Sequence, residues 1–170
     1  MGSIDRITAM FEQPDLNTML RSIPFFLELS PRSLEPLVEI SQLRLVPAGE
    51  ILFQEGDRET ELYILLEGQV QITAHIPNHG EFDVFTAEPL DIIGWSALTP
   101  IVRQRTASAV ALKDSILLAL DGDGLRALCE ADHDLGYIFM RRISNIVASR
   151  LLATRLQLYD LILQQPLPHP

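Results

Sequence analysis

The stretch from Asp91 to Val110 holds the most concentrated chemistry in this chain. Apolar residues before Gly94 predict a strand ending at that glycine, one short helical turn follows through Ser96, Ala97 and Leu98, and Pro100 stops it. Such a turn presents backbone N–H groups and a small positive dipole, which suit a phosphate or another small anion. Arg105 heads the next predicted strand with Thr106 beside it, and its guanidinium fork can reach back to the turn. The result is an anion cradle of backbone amides, one Arg and one hydroxyl. A competing reading keeps Arg105 for an internal ion pair with Asp91 or Glu88. Arg103, in the expected loop, is expected to contribute mainly by screened attraction.

Other reactive side chains do not assemble. His75 and His79 fall on a hairpin, His133 at a helix start and His169 in the tail, so no metal-ligand cluster is expected. Ser96, Ser108 and Cys129 lack a neighbouring His or Asp pattern for nucleophilic catalysis. The sequence therefore predicts a protein that is not an enzyme, with no catalytic residue, no metal and no required cofactor.

The cradle needs a scaffold, and the chain reads as helices, then strands, then helices. Helices are expected at residues 3–11, after Asp15 as an N-cap, and after Pro31 at a first helical turn. Ile23, Pro24, Phe25 and Phe26 form an apolar knuckle between the second and third. Eight strands are expected at 43–46, 51–54, 61–66, 69–76, 81–86, 91–93, 106–111 and 115–120, enough for two packed antiparallel sheets. Gly49, Gly56 and Gly68 fall at strand ends, and residues 77–80 make a hairpin tip. Asp121 or Asp123 caps a short helix through Cys129, and Asp132 or Asp134 opens a long one to about Ile162. On that helix Met140, Ile143, Val147, Leu151, Leu158 and Leu161 form an apolar stripe, better covered by a second copy in a homodimer than by its own sheet. Residues 1–163 are thus expected as one domain, with helices over 1–40, a β-roll over 41–120 and helices over 121–163. The tail, 164–170, is expected to be disordered.

A length of 170 residues supports one core, and 47% hydrophobic with 21% charged residues is an ordinary globular balance. The net charge of −10 repels phosphate backbones, so no direct nucleic-acid partner is expected. No apolar run reaches the ~20 residues of a membrane span, and the single Cys129 fits a reducing, cytoplasmic setting.

Three ordered motifs carry a family resemblance. The run 46–57, with Pro47, Gly49 and Gly56, is similar to the first strands and glycine turn of the cyclic-nucleotide-binding domain family, and 61–70, with Gly68, is similar to its next two strands. Residues 94–110 resemble its phosphate-binding cassette, in which a glycine opens a short helix and Arg, a hydroxyl residue and Ala close it. The resemblance covers about residues 20–160 and implies a catabolite-activator-like jelly roll with a long dimerisation helix. The helix-turn-helix of that branch has no counterpart here, so control through an unidentified effector protein is expected.

The resemblance also implies a ligand, cyclic AMP or cyclic GMP, held by Gly94, Trp95, Ser96, Ala97, Arg105 and Thr106, with Arg150 near the base. Trp95 departs from the family pattern, which has Glu there to accept from the ribose hydroxyl; an indole N–H only donates. Arg150 either stacks on a purine or fills the pocket and pairs with an acid. Two functions stay open: a regulatory module that senses a cyclic nucleotide or related anion, or a ligand-free dimerisation and interaction module whose pocket has degenerated at Trp95.

Overall fold

The computed structural model describes residues 16–58, 60–99 and 104–163. Expected features at residues 3–11, Asp15, Pro100, Arg103 and the 164–170 tail lie outside these, as does the side chain of Leu161.

The chain opens with α1 (Leu16–Ser22), a 3-10 turn (Pro24–Phe26) and α2 (Pro31–Glu39). Ser30 Oγ accepts from the Ser33 amide and Pro31 takes the first helical position, so α2 starts where capping chemistry places it. The strands are β1 (Ser41–Val46), β2 (Ile51–Phe53), β3 (Glu61–Glu67), β4 (Val70–Ile76), β5 (Gly80–Ala87), β6 (Ile92–Ile93), β7 (Ser108–Ala111) and β8 (Ser115–Asp121). They form two four-stranded antiparallel sheets, ordered β1-β8-β3-β6 and β2-β7-β4-β5. Two helices follow, α3 (Gly122–Ala131) and α4 (His133–Leu163).

The continuous apolar runs of β3 and β8 arise because their sheet is covered on both faces. Leu62, Ile64, Leu118 and Leu120 face the helices, where they join Phe26, Leu37, Leu125 and Phe139. The alternate residues Tyr63, Leu65, Leu117 and Ala119 face the roll interior with Val70, Ile72 and Ala109. A strand buried on both sides loses the polar half of its alternation. The Phe25 and Phe26 knuckle packs on α4, with ring centroids 4.9 and 6.1 Å from Phe139.

Two helix starts left open in the sequence are decided by their caps. Asp121 accepts from the Gly124 amide at 2.7 Å and begins α3. Asp132 Oδ1 accepts from the amides of Asp134 and Leu135, each at 3.1 Å, and begins α4, while its Oδ2 accepts from Ser33 Oγ at 2.7 Å. The Ser33 hydroxyl and those amides hold the Asp132 carboxyl below its usual range.

Helix α4 divides along its length. Leu135, Phe139 and Ile143 are buried on the chain's own core, and Glu28 ties the helix down through Arg141 and Arg142. Beyond residue 150 every described side chain is exposed, including Leu151, Leu152, Leu156, Leu158, Tyr159, Ile162 and Leu163. The expected stripe is thus half covered from within: Ile143 is buried and Val147 partly so, while Met140, Leu151 and Leu158 are exposed.

Candidate functional site

Strand β6 ends at Ile93, and Gly94 follows with φ 71° and ψ 29°, a left-handed conformation that turns the chain into the 3-10 turn Trp95–Leu98. A Cβ at Gly94 would lie 2.2 Å from Arg105 Nη1 and 3.0 Å from the Glu61 carbonyl oxygen. Glycine is therefore required both for the backbone angle and for the close approach of the guanidinium. Within the turn, the Ala97 amide donates to the Gly94 carbonyl at 3.0 Å. The amide and hydroxyl of Thr99 donate to the Ser96 carbonyl at 2.9 and 2.8 Å.

Arg105 and Thr106 do not sit on a strand as expected; β7 begins at Ser108. They occupy the connection before it, because the glycine turn at residues 54–57 holds this segment first. The Arg105 amide donates to the Asp57 carbonyl at 2.7 Å, the Gly56 amide donates to the Arg105 carbonyl at 2.8 Å, and Arg58 and Gln104 form an antiparallel bridge.

The Arg105 side chain is 4% exposed. Its Nη2 donates to the Glu61 carbonyl at 2.7 Å, and its Cζ lies 4.1 Å from the Phe53 ring centroid and 5.7 Å from that of Tyr63. Beside it the Tyr63 hydroxyl donates to Glu61 Oε2 at 2.6 Å, and Arg44 Nη1 lies 3.3 Å from the same oxygen. Burial, reinforced by Glu61, pushes the Tyr63 phenol up to about 12, so it stays a neutral donor. The carboxylates expected as partners for Arg105 are engaged elsewhere: Glu88 accepts from Gln69, and Asp91 faces Arg150.

Arg105 and the turn share a cavity of about 60 Å³. Of the expected site residues, Gly94, Trp95, Ser96, Arg105 and Thr106 line it. Ala97 does not. It is buried under α3, where its Cβ meets Gly122 and its carbonyl accepts from Arg126, because a 3-10 turn completes a circle in three residues and so points Ala97 away from the side that Trp95 and Ser96 face. Nor does Arg150 line the cavity. Its Cζ lies 3.3 Å from the Phe85 ring centroid and its Nη2 is 3.5 Å from Asp91 Oδ1. Burial lowers its pKa against the opposing pull of Asp91. The apolar wall of Phe53, Ile72, Phe85, Ile92, Ile93 and Ala107 was missed from the sequence. The strand alternation marks Phe53, Ile72 and Phe85 as inward, but choosing which of them meet needs the cross-strand register. Among the described residues no three His, Cys, Asp or Glu side chains gather as a metal site.

Residues 43–132 match the family model of the cyclic nucleotide-binding domain. The Cyclic AMP receptor protein of Thermus thermophilus is 29% identical over 128 residues, which are 73% of this chain and 59% of that protein. A CRP-like cAMP-activated global transcriptional regulator of Mycobacterium tuberculosis is 27% identical over 148 residues, 86% of this chain and 63% of its own length. The chain thus spans about three fifths of these relatives. Among solved structures, the Thermus thermophilus Catabolite Activator Protein superposes with a TM-score of 0.65 at 28% identity, covering 81% of this chain and 62% of that one. A cyclic nucleotide-binding domain from Methylobacillus flagellatus superposes with a TM-score of 0.65 at 26% identity, covering 89% and 83%. With the eight-stranded roll, the glycine-opened turn and the buried Arg105 in place, the chain belongs to the cyclic nucleotide-binding domain family.

Proposed function

We propose that this chain is a regulatory ligand-sensing module that binds a cyclic nucleotide or related small anion at residues 94–106 and transmits occupancy through a homodimer of α4. The observation that carries the reading is Arg105, a permanent cation 4% exposed that lines a cavity beside the Ser96 and Thr106 hydroxyls. An anion that enters the cavity gains a charge-assisted bond from this guanidinium. The gain differs between the empty and filled states, which is what a sensor requires. The distal half of α4 supports the dimer, because its leucines are exposed over roughly 20 Å of helix at 1.5 Å per residue.

Residues 1–163 act as one domain in this reading, an unidentified effector protein receives the signal, and no catalysis, cofactor or direct nucleic-acid contact is involved. The net charge of −10 supports the last point. Among the described residues no helix is long and apolar enough to cross a membrane, and the reading puts the module in the cytoplasm. Calorimetry of ligand-stripped protein with cyclic AMP, cyclic GMP and cyclic di-nucleotides tests it; saturable one-site binding is expected, lost on Arg105→Ala.

The interaction-module reading draws on Trp95 and the size of the cavity. An indole stands in the lining, and Phe85 and Asp91 hold Arg150 away from it. A dimeric mass by light scattering, with no heat of binding from any anion in that titration, would support it instead.

A further inference from the structure

We infer that the groove between the 3-10 turn Pro24–Phe26, the β5–β6 turn and α4 is a second ligand site, which takes a small neutral molecule with an apolar body and one carbonyl oxygen. It lies apart from the Arg105 cavity: among the described residues only Ile92 lines both.

Leu90 stands at the rim of this groove with a strained backbone. In the turn from Glu88 to Asp91 the Asp91 amide donates to the Glu88 carbonyl at 3.0 Å, Pro89 comes second and Leu90 third, with φ 77°. That third place asks for glycine. Asn78, the other described residue besides glycine with positive φ, sits at a hairpin tip where Asn is ordinary, whereas leucine in this region is strained. The Leu90 amide donates to the Leu65 carbonyl at 2.7 Å and fixes the turn against β3. Its side chain is 54% exposed, so burial within the chain does little to offset the strain. Strain of this kind gathers at ligand clamps, and an occupant of the groove buries this leucine.

Arg142, on the α4 wall, supplies the polar contact. Its Nη2 donates to the Pro24 carbonyl at 3.2 Å and to Glu28 Oε1 at 2.8 Å, and its Cζ lies 5.1 Å from the Phe25 ring centroid. Its Nε is buried and has no hydrogen-bond partner. A buried N–H left unmade is costly, and an acceptor in the groove removes that cost. Glu28 already balances the guanidinium charge and Asp91 stands on the same wall, so a neutral carbonyl suits the position better than a carboxylate. Ile23, Phe25, Ile92 and Ile146 make the rest of the lining apolar. The groove holds about 270 Å³, and an apolar cavity of about 150 Å³ already takes a benzene ring.

The test titrates the full chain with acetophenone, benzoate and toluene, followed by NMR at the Arg142 Nε–H and at Ile92 and Ile146. Acetophenone is expected to bind with a Kd of about 10 mM or below, as its size allows, and to move the Arg142 Nε–H resonance. It should bind about tenfold or more tighter than toluene, the worth of a hydrogen bond from a charged donor, and tighter than benzoate. Arg142→Lys keeps the charge facing Glu28 and removes Nε, so the advantage over toluene should vanish. Leu90→Gly should weaken acetophenone binding while leaving the urea midpoint unchanged or raised, because glycine meets φ 77° freely. Toluene matching acetophenone overturns the role of Arg142, and benzoate matching it overturns the neutral class. No binding of acetophenone, or binding lost on Arg105→Ala and kept in Leu90→Gly, overturns the site itself. The three probes on the unsubstituted protein decide the matter even where a variant does not fold.

Discussion

Arg105→Ala separates a binding residue from a core strut, because the two roles predict different energies. In the folded protein the guanidinium gains a charge-assisted bond to the Glu61 carbonyl at 2.7 Å, worth about 1.5–3 kcal/mol, and a desolvated contact with Phe53 at 4.1 Å, worth about 2 kcal/mol. Against this stands the burial of a charge that is 4% exposed, which costs several kcal/mol. These contacts offset part of that cost. The Glu61 carbonyl left behind faces the cavity Arg105 vacates, where water can reach it. Urea denaturation of the ligand-free protein should therefore show a change within about 2 kcal/mol. Anion affinity should fall by about 2–5 kcal/mol, thirtyfold or more, as when one partner of a buried charged pair is removed. Arg105→Lys should retain part of that affinity, keeping the charge and losing the fork. A loss of stability above about 4 kcal/mol with unchanged anion binding would refute the argument and make Arg105 a structural element alone.

Three further outcomes follow from named contacts. Leu151→Glu with Leu158→Glu, both exposed on α4, should convert a light-scattering mass of two chains to one with little loss of helicity by circular dichroism. Gly94→Ala forces a side chain to φ 71° and into Arg105 Nη1, so it should destabilise by about 1–3 kcal/mol in denaturation and weaken anion binding in calorimetry. Asp132 has a depressed folded pKa, so its stabilisation is fully present above the ordinary Asp value and is lost as pH falls through the folded one. Chemical denaturation should accordingly show Asp132→Asn destabilising at pH 7, by an amount unchanged down to about pH 4 and shrinking only below it.

Local signals in the chain were sufficient for its elements. The eight strands, the knuckle at Phe25 and Phe26, and the long helix follow from periodicity and turn residues acting over a few positions, and all are present at nearly the expected bounds. The cassette was legible too, since Gly94, Arg105 and Thr106 are residue types that turn geometry and anion chemistry single out.

What depended on distance along the chain was not legible. Glu61 and Arg105 meet across 44 positions, and Arg150 reaches Asp91 only after α4 has been laid against the roll. The strand expected at Arg105 gave way to backbone bonds from Gly56 and Asp57, on a loop about fifty residues earlier. Ala97 turned into the core because α3 offers Gly122 there. The apolar wall of the cavity needed the pairing of β2, β4 and β7, whose register fixes which inward side chains share a layer. Sequence alone determined which residues form strand, turn and helix, because those choices are made by neighbours. Which side chains face one another was decided only by tertiary packing, because it depends on segments dozens of residues apart.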